Sequence, residues 1–177
     1  MLLPHVPQSI IQATTSLPLS QFIRESSWAF PTIESIHVVA VVVVVGTITI
    51  VDLRLVGIAY NNCAVTQIAR DTLKWTWGAF LLALISGSLM AMAKLNAYVV
   101  VPSFWIKFGF MAAAAVNMLV FELLTFRNVH TWDQGCAVPT AAKIAGTLSI
   151  VLWAIVIIFG RWIGYTIDYG SVFGGGF

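Results

Sequence analysis

Four long apolar stretches separated by short polar segments dominate this sequence. We predict membrane-spanning helices at about residues 32–58, 75–95, 102–126 and 139–167, because about 20 apolar residues suffice to cross the hydrocarbon core of a bilayer. Together with their connections, these helices form a predicted membrane domain over residues 31–167. The pattern therefore predicts an all-α fold, a four-helix transmembrane bundle.

Prolines and polar residues mark where the predicted helices begin and end. Pro31, Pro102 and Pro139 each suit the first turn of a helix, where a missing backbone N–H costs nothing. Residues 65–74 are amphipathic, so we predict a surface turn there that leads into the second span. Residues 168–177 form a predicted glycine-rich tail.

The segment before the first span, residues 1–30, is predicted to be an irregular arm followed by a short interfacial helix. Ser20 is the predicted N-cap of that helix, because serine oxygens commonly accept hydrogen bonds from the first turn. Phe22, Ile23 and Trp28 are predicted to lie against the lipid headgroups.

The composition indicates the environment of the chain. Of its 177 residues, 59% are hydrophobic and 9% are charged, whereas soluble proteins carry about 25% charged residues. The formal net charge of +2 is too small and too dispersed to indicate nucleic-acid binding. Two cysteines cannot form a disulfide framework. We therefore expect the lipid bilayer, and no nucleic acid, as a partner.

The basic residues decide the predicted orientation, since cytoplasmic loops carry an excess of Lys and Arg. The count on the two sides is nearly balanced. Loops one and three contain Arg54, Arg70, Lys74, Arg127 and Lys143, and the other side contains Arg24, Lys94, Lys107 and Arg161. This favours a multi-pass membrane protein with both termini outside the cytoplasm.

Four ionisable residues from three spans are predicted to converge at one depth. Glu34 and His37 lie near the start of the first span, Lys107 lies near the start of the third, and Arg161 lies near the end of the fourth. Ionisable groups inside a bilayer are costly and usually face the bundle interior. The alternative interpretation is that Lys107 and Arg161 extend toward the headgroups while Glu34 pairs with His37 or Arg161.

These four residues predict a cofactor site. His37 is the candidate metal ligand or proton carrier, and Lys107 and Arg161 are candidates to hold haem propionates or a quinone headgroup, with Glu34 beside them. A two-haem cytochrome is not expected, because His37 is the only histidine within the predicted spans. The cofactor hypothesis is thus a single b-type haem, or a quinone, and no other cofactor.

Other polar residues in the spans favour structural roles. Asn117 in the middle of the third span is predicted to form an interhelical hydrogen bond. Asp52, Arg54, Glu122 and Arg127 lie near helix ends on the side opposite His37, where we expect them to anchor the bundle, with the Asp52–Arg54 end protruding from the bilayer.

Several stretches carry a resemblance to a known group of proteins. They are Glu34-Ser-Ile-His37, Val51-Asp-Leu-Arg-Leu-Val-Gly57, Lys74-Trp-Thr-Trp77, Phe104-Trp-Ile-Lys107 and Phe159-Gly-Arg-Trp-Ile-Gly-Tyr165. Over about residues 27–166 the chain resembles an uncharacterised bacterial family of four-helix integral membrane proteins. The resemblance implies a multi-pass protein of the bacterial inner (cytoplasmic) membrane, in which both termini are expected to be periplasmic. Where that family often has a histidine shortly after the span-three asparagine, this chain has Phe121-Glu122, so the resemblance implies no second ligating histidine.

More distantly, the layout is similar to the membrane-bound protoporphyrinogen oxidases and to copper-resistance membrane domains. The similar features are a histidine early in the first span, an arginine near its end and a lysine early in the third span. The oxidase resemblance implies haem b on His37 with Lys107 assisting. The Pro-Arg-Leu of that family is replaced here by Asp52-Leu53-Arg54.

Three functional hypotheses remain open. The first is an integral membrane subunit of a larger membrane complex, a redox subunit that binds one b-type haem or a quinone through His37, Lys107 and Arg161. The second is a haem-free structural or accessory subunit whose arm and tail dock on other membrane subunits. The third is a protoporphyrinogen-oxidase-like enzyme. Since no nucleophile with a base partner and no nucleotide fingerprint is visible, we expect no catalytic activity from the chain on its own.

Overall fold

The computed structural model describes residues 6–133 and 137–173, with side chains up to residue 167. In this part of the chain the regular elements are helices and no strand occurs, which confirms the predicted all-α fold. The helices are α1 (Gln8–Thr15), α2 (Pro18–Glu25), α3 (Ala29–Val56), α4 (Val65–Ala93), α5 (Leu95–Tyr98), α6 (Pro102–Val120) and α7 (Thr140–Phe173). A wider π-helical turn, Phe121–Thr125, and a tighter 3₁₀ segment, Phe126–Thr131, extend α6.

Four helices are long and apolar enough to cross a membrane, so the chain is a multi-pass membrane protein. The spans are Ala29–Val56, Val65–Ala93, Pro102–Thr131 and Thr140–Ile167. At about 1.5 Å per residue each is long enough for the roughly 30 Å hydrocarbon core. Their outer faces carry large exposed apolar side chains, which in a bilayer contact lipid.

Some helix boundaries differ from the sequence-based expectation. Residues 65–74 are not a separate surface turn, because α4 is one continuous helix of 29 residues. No proline or glycine interrupts the segment, and its first turn is capped from another loop, as described below. At the other end of the chain α7 continues to Phe173, beyond the predicted end at 167. The remainder of the predicted tail, residues 174–177, lies outside the described residues.

The N-terminal segment forms two short helices, and Ser20 is not the predicted cap. Leu17 is the N-cap of α2 and makes no side-chain cap hydrogen bond. Ser20 instead lies fully buried inside α2 and donates a hydrogen bond to Met92 O of α4 at 2.8 Å. Phe22 and Trp28 are exposed and form an edge-to-face pair, as expected at the headgroups, whereas Ile23 is buried. The arm is therefore docked on α4.

The four spanning helices pack antiparallel in the order α4, α3, α7, α6. Between α3 and α4, hydrogen bonds join His37 to Ser86 and Thr76 to Thr47. Between α6 and α7, Asn117 donates a hydrogen bond to Ala145 O. Within the described residues α4 and α6 make no more than marginal backbone contact. The helices α4 and α6 therefore stand at the two ends of the row and do not pack against each other.

The two ends of the bundle are built differently. We call the end that carries the starts of α3 and α6 the arm end, and the opposite end the loop end. At the loop end a buried apolar cluster joins α3, α4, α7 and the segment after α6; its members are Leu55, Val65, Val129, Trp132 and Ala142. The most compact part of the described core lies here.

Arg54 and Asp133 fasten the loops over this cluster. Arg54 is 3% exposed, and its guanidinium donates to Cys63 O at 2.8 Å and to Asp133 O at 3.3 Å. The Asp133 carboxylate accepts hydrogen bonds from Thr66 N at 3.0 Å and Thr66 Oγ1 at 2.5 Å, so it caps the first turn of α4. The loops thus fold back over Arg54, so this helix end is covered by protein; its predicted protrusion from the bilayer stays a prediction.

This arrangement sets the charge state of Asp133. Partial desolvation acts to raise its pKa, but the hydrogen bonds from Thr66 and Val65 and the nearby Arg54 charge outweigh it and lower the pKa below its usual range. The carboxyl is therefore ionised at neutral pH, and a negative charge at the start of α4 also suits the helix dipole.

The helices α3 and α7 approach each other closely at the loop end. A Cβ at Gly146 would lie 3.1 Å from both Asp52 O and Leu55 Cβ, so any larger residue there would require α3 to shift by a few tenths of an ångström. Asp52 is 6% exposed and its carboxyl shares a hydrogen bond with Ser149 of α7. Its Oδ2 is buried without a hydrogen-bond partner in the described residues.

Candidate functional site

His37 is held on the inner side of α3 by contacts with α4. Its Nδ1 lies 3.0 Å from Ser86 Oγ, and the Ala83 carbonyl provides a further acceptor on the same turn. The Ser86 hydroxyl donates its own proton to Leu82 O at 2.7 Å, so its oxygen is free to accept from the ring. The contact of Ser86 with Leu82 O therefore favours the neutral imidazole tautomer with its proton on Nδ1 and its lone pair on Nε2.

The imidazole fits its place because α4 has no side chain there. A Cβ at Gly87 would lie 2.9 Å from His37 Cε1, closer than such atoms approach in proteins. The adjacent Ser86 is 3% exposed and supplies the anchoring oxygen. Together the two α4 residues fix both the position and the orientation of the ring.

Lys107 approaches the same region from α6. Its Nζ lies 3.7 Å from where a Cβ of Gly160 would be, so the side chain lies along the glycine of α7. The stacked rings of Phe110 and Phe159, with centroids 6.1 Å apart, join α6 and α7 one turn away. The charge of Lys107 acts on the His37 imidazole, which places the two basic groups near each other although they come from different helices.

The site carries positive charge without a paired carboxylate. Among the described residues Lys107 makes no hydrogen bond or ion pair, and Lys107 is the charged group that acts on His37. An unpaired ammonium in a low-dielectric region favours an anionic or strongly polarised oxygen as its partner. Within the same residues no cluster of three or more His, Cys, Asp or Glu side chains is placed to bind a metal ion.

Glu34 and Arg161 lie at the same end of the bundle but on a different surface. They line an open groove between α3 and α7, which neither His37 nor Lys107 lines. Arg161 is exposed and its guanidinium lies 5.7 Å from the centroid of the Tyr165 ring. All four residues lie at the arm end, whereas their common depth in the membrane and their joint cofactor role stay predictions.

The other polar residues of the spans differ in their contacts. Asn117 Nδ2 donates to Ala145 O of α7 at 3.0 Å, which confirms the predicted interhelical hydrogen bond. Glu122 and Arg127 are exposed at the loop end. Arg54, by contrast, is buried and hydrogen-bonds to the two loops that cover it.

The residues that position His37 and Lys107 were not predicted from the sequence. The sequence shows which span contains Ser86, Gly87 and Gly160, because the position along a helix follows from the residue count. It does not show which face of the helix they occupy, because that depends on how the neighbouring helices pack. The Ser86-Gly87-Ser88 run was the available signal, since small residues mark close helix approach in membranes. No sequence pattern indicated that Asp133 caps α4, because Asp133 lies 67 residues from Thr66.

Comparisons with known proteins find one family. The model of a family of unknown function, DUF6644, matches residues 27–166, a range that holds most of the four spans and all four candidate site residues. Neither the curated proteins nor the solved structures contain a match to the chain. The chain therefore belongs to the DUF6644 family of unknown function.

Proposed function

We propose that the chain is the redox subunit of a larger membrane complex and binds the headgroup of an isoprenoid quinone at His37 and Lys107. The observation that carries the proposal is the pairing of an anchored imidazole on α3 with an unpaired ammonium on α6. Both groups lie at the arm end of helices that cross the membrane, where a lipid-soluble ligand has access.

The chemistry of the two groups suits a quinone. The Lys107 ammonium donates to a carbonyl oxygen and stabilises the negative charge that develops there on reduction. His37 Nε2, which holds the lone pair, accepts a proton from the hydroxyl of the reduced form and carries it as imidazolium. The isoprenoid tail would reach the lipid between α4 and α6, which make at most marginal contact with each other in the described residues.

A single b-type haem is the second candidate, and one observation favours it. A ligating histidine usually donates its other ring nitrogen to an orienting partner, and the contact between His37 Nδ1 and Ser86 has this form. In this alternative His37 Nε2 binds the iron and Lys107 holds a propionate. Bound haem would supply one-electron transfer.

The proposed subunit also requires a redox partner and a defined membrane. A subunit that binds quinone needs an electron donor or acceptor, which we place in another membrane subunit. We place the chain in the bacterial inner membrane with both termini on the periplasmic side. Glu34 and Arg161 lie on a neighbouring surface, and the proposal rests on His37 and Lys107 alone.

The test is to purify the protein in a mild detergent, to measure extracted quinone and to record a reduced-minus-oxidised absorption spectrum. We expect quinone at close to one per protein, lost in His37→Ala and Lys107→Met and retained in Lys143→Met, which removes an exposed lysine of the loop end. A haem band that disappears in His37→Ala would replace quinone with haem. A wild type with neither would contradict both candidates and favour the accessory-subunit alternative.

A further inference from the structure

An open groove of about 450 Å³ lies at the arm end between α3 and the C-terminal part of α7. Its lining comes from one face of α3 and one side chain of α7, and consists of Pro31, Glu34, Ser35, Val38, Val39 and Arg161. It is separate from the His37 and Lys107 pair, and the proposed function does not use it.

The mouth of the groove carries two opposite charges that do not pair with each other. Neither the Glu34 carboxylate nor the Arg161 guanidinium forms an ion pair or hydrogen bond within the described part of the chain. The only ring contact of Arg161 there is with Tyr165. Both charges therefore face the groove ready for a ligand that carries a cation and an anion.

The surroundings place the groove at the membrane interface. Trp162 and Tyr165 are 58% and 55% exposed beside Arg161, and aromatic side chains of this kind are enriched at the level of the headgroups. Val38 and Val39 are exposed one turn further into α3 than Glu34. The groove thus has a charged mouth at the interface and an apolar wall that continues toward the bilayer centre.

We propose that this groove binds a zwitterionic phospholipid with a primary ammonium group, of the phosphatidylethanolamine class. Its phosphate pairs with Arg161, its ammonium donates hydrogen bonds to Glu34, and an acyl chain lies along Val38 and Val39. The charges decide between lipid classes. A quaternary ammonium has no N–H to donate to Glu34, and an anionic headgroup without an ammonium leaves Glu34 facing a like charge.

The experiment measures lipid retained by the purified full-length protein after exchange into mixed micelles. Phosphatidylethanolamine, phosphatidylcholine and phosphatidylglycerol with the same acyl chains are supplied in equal amounts, and bound lipid is counted by native mass spectrometry. We expect the wild type to prefer phosphatidylethanolamine about tenfold, the ratio expected for one hydrogen bond to a charged group. Glu34→Gln should abolish the preference over phosphatidylcholine, and Arg161→Gln should weaken retention of both.

Matched controls lie at the other end of the bundle. Glu122→Gln and Arg127→Gln remove exposed charges of the same kind there and should leave the preference unchanged. Equal retention of the three lipids by the wild type would overturn the proposal, as would a preference that survives in Glu34→Gln. A preference for phosphatidylglycerol would also overturn it and would indicate a site for anionic lipid at Arg161. Because both side chains lie at a surface groove, size-exclusion profiles should match the wild type.

Discussion

The loop end and the arm end of this bundle differ in how far their polar residues are satisfied. At the loop end the Arg54 guanidinium and the Asp133 carboxylate are matched by hydrogen-bond partners from the loops and from α4, although Asp52 Oδ2 has no partner among the described residues. At the arm end Lys107, Glu34 and Arg161 have no ion-pair partner among the described residues. Satisfied polar groups fix a structure, whereas unpaired ones inside a membrane protein indicate a place for a ligand. The comparison therefore assigns stability to the loop end and binding to the arm end.

The largest expected effect comes from removing the clamp of the loop end. Arg54→Met leaves the carbonyls of Cys63 and Asp133 without their donor inside a buried cluster, so we expect a loss of about 2–4 kcal/mol. Thermal unfolding in detergent, followed by tryptophan fluorescence, measures it. Arg127→Met removes an exposed arginine at the same end and should change stability by less than about 0.5 kcal/mol. Equal stability of the two variants would contradict the distinction between the clamp and an ordinary surface arginine.

A smaller effect is expected where α3 and α7 touch. Gly146→Val introduces a side chain whose Cβ meets backbone and side-chain atoms of α3 at 3.1 Å, and overpacking of this kind costs about 1–3 kcal/mol. Gly109→Val is the matched control on α6, since nothing lies within 4 Å of its added Cβ. The melting temperature of the first variant should fall below that of the second. If Gly109→Val proved the less stable of the two, the close approach at the loop end would not be a packing constraint.

The third effect is pH-dependent and belongs to Asp133. Its lowered pKa means that it stabilises the fold fully above the unfolded-state value near about 4, and that this contribution is lost as the pH falls through the folded-state value. Asp133→Asn should cost about 1 kcal/mol at neutral pH, the usual value of a helix cap. The difference in melting temperature between the wild type and this variant should shrink on acidification from pH 6 to pH 3. A difference independent of pH would show that the charge plays no part.

The smallest change in stability is expected at the arm end. Gly87→Ala places a methyl group against His37 Cε1 at 2.9 Å, but the imidazole is a side chain and can move aside. We therefore expect a stability change within about 0.5 kcal/mol together with a loss of bound quinone, because the ring loses its alignment with Ser86. Gly78→Ala on the same helix meets nothing within 4 Å and should retain the quinone. A Gly87→Ala variant that binds quinone normally would show that the orientation of His37 is not used.

The sequence predicted the features that depend on composition and spacing. Four apolar stretches bounded by Pro31, Pro102 and Pro139 were enough to predict a four-helix membrane bundle, and the positions of His37 and Lys107 along their helices predicted a shared depth. Asn117 was identified as an interhelical donor because a lone amide inside a span requires a partner.

Features that depend on distant contacts could not be predicted. Ser20 has the residue type of a helix cap, but in the structure it binds Met92 O, 72 residues away. Burial of Arg54 was not predictable because it needs Asp133, 79 residues away, in addition to the adjacent loop at Cys63. Glu34 and His37 are one helical turn apart, yet Glu34 lines the groove beside α7 and His37 contacts α4. Which neighbour each side chain contacts depends on how the helices pack, and the sequence alone does not show this.

The most direct test of the account is the thermal shift produced by a short-chain ubiquinone or menaquinone analogue in three forms of the protein. The wild type should be stabilised by the ligand, and Arg54→Met should melt at a lower temperature but keep the same shift. Lys107→Met should melt near the wild-type temperature and show no shift. Loss of the shift in Arg54→Met together with its persistence in Lys107→Met would contradict the assignment of binding to the arm end and stability to the loop end.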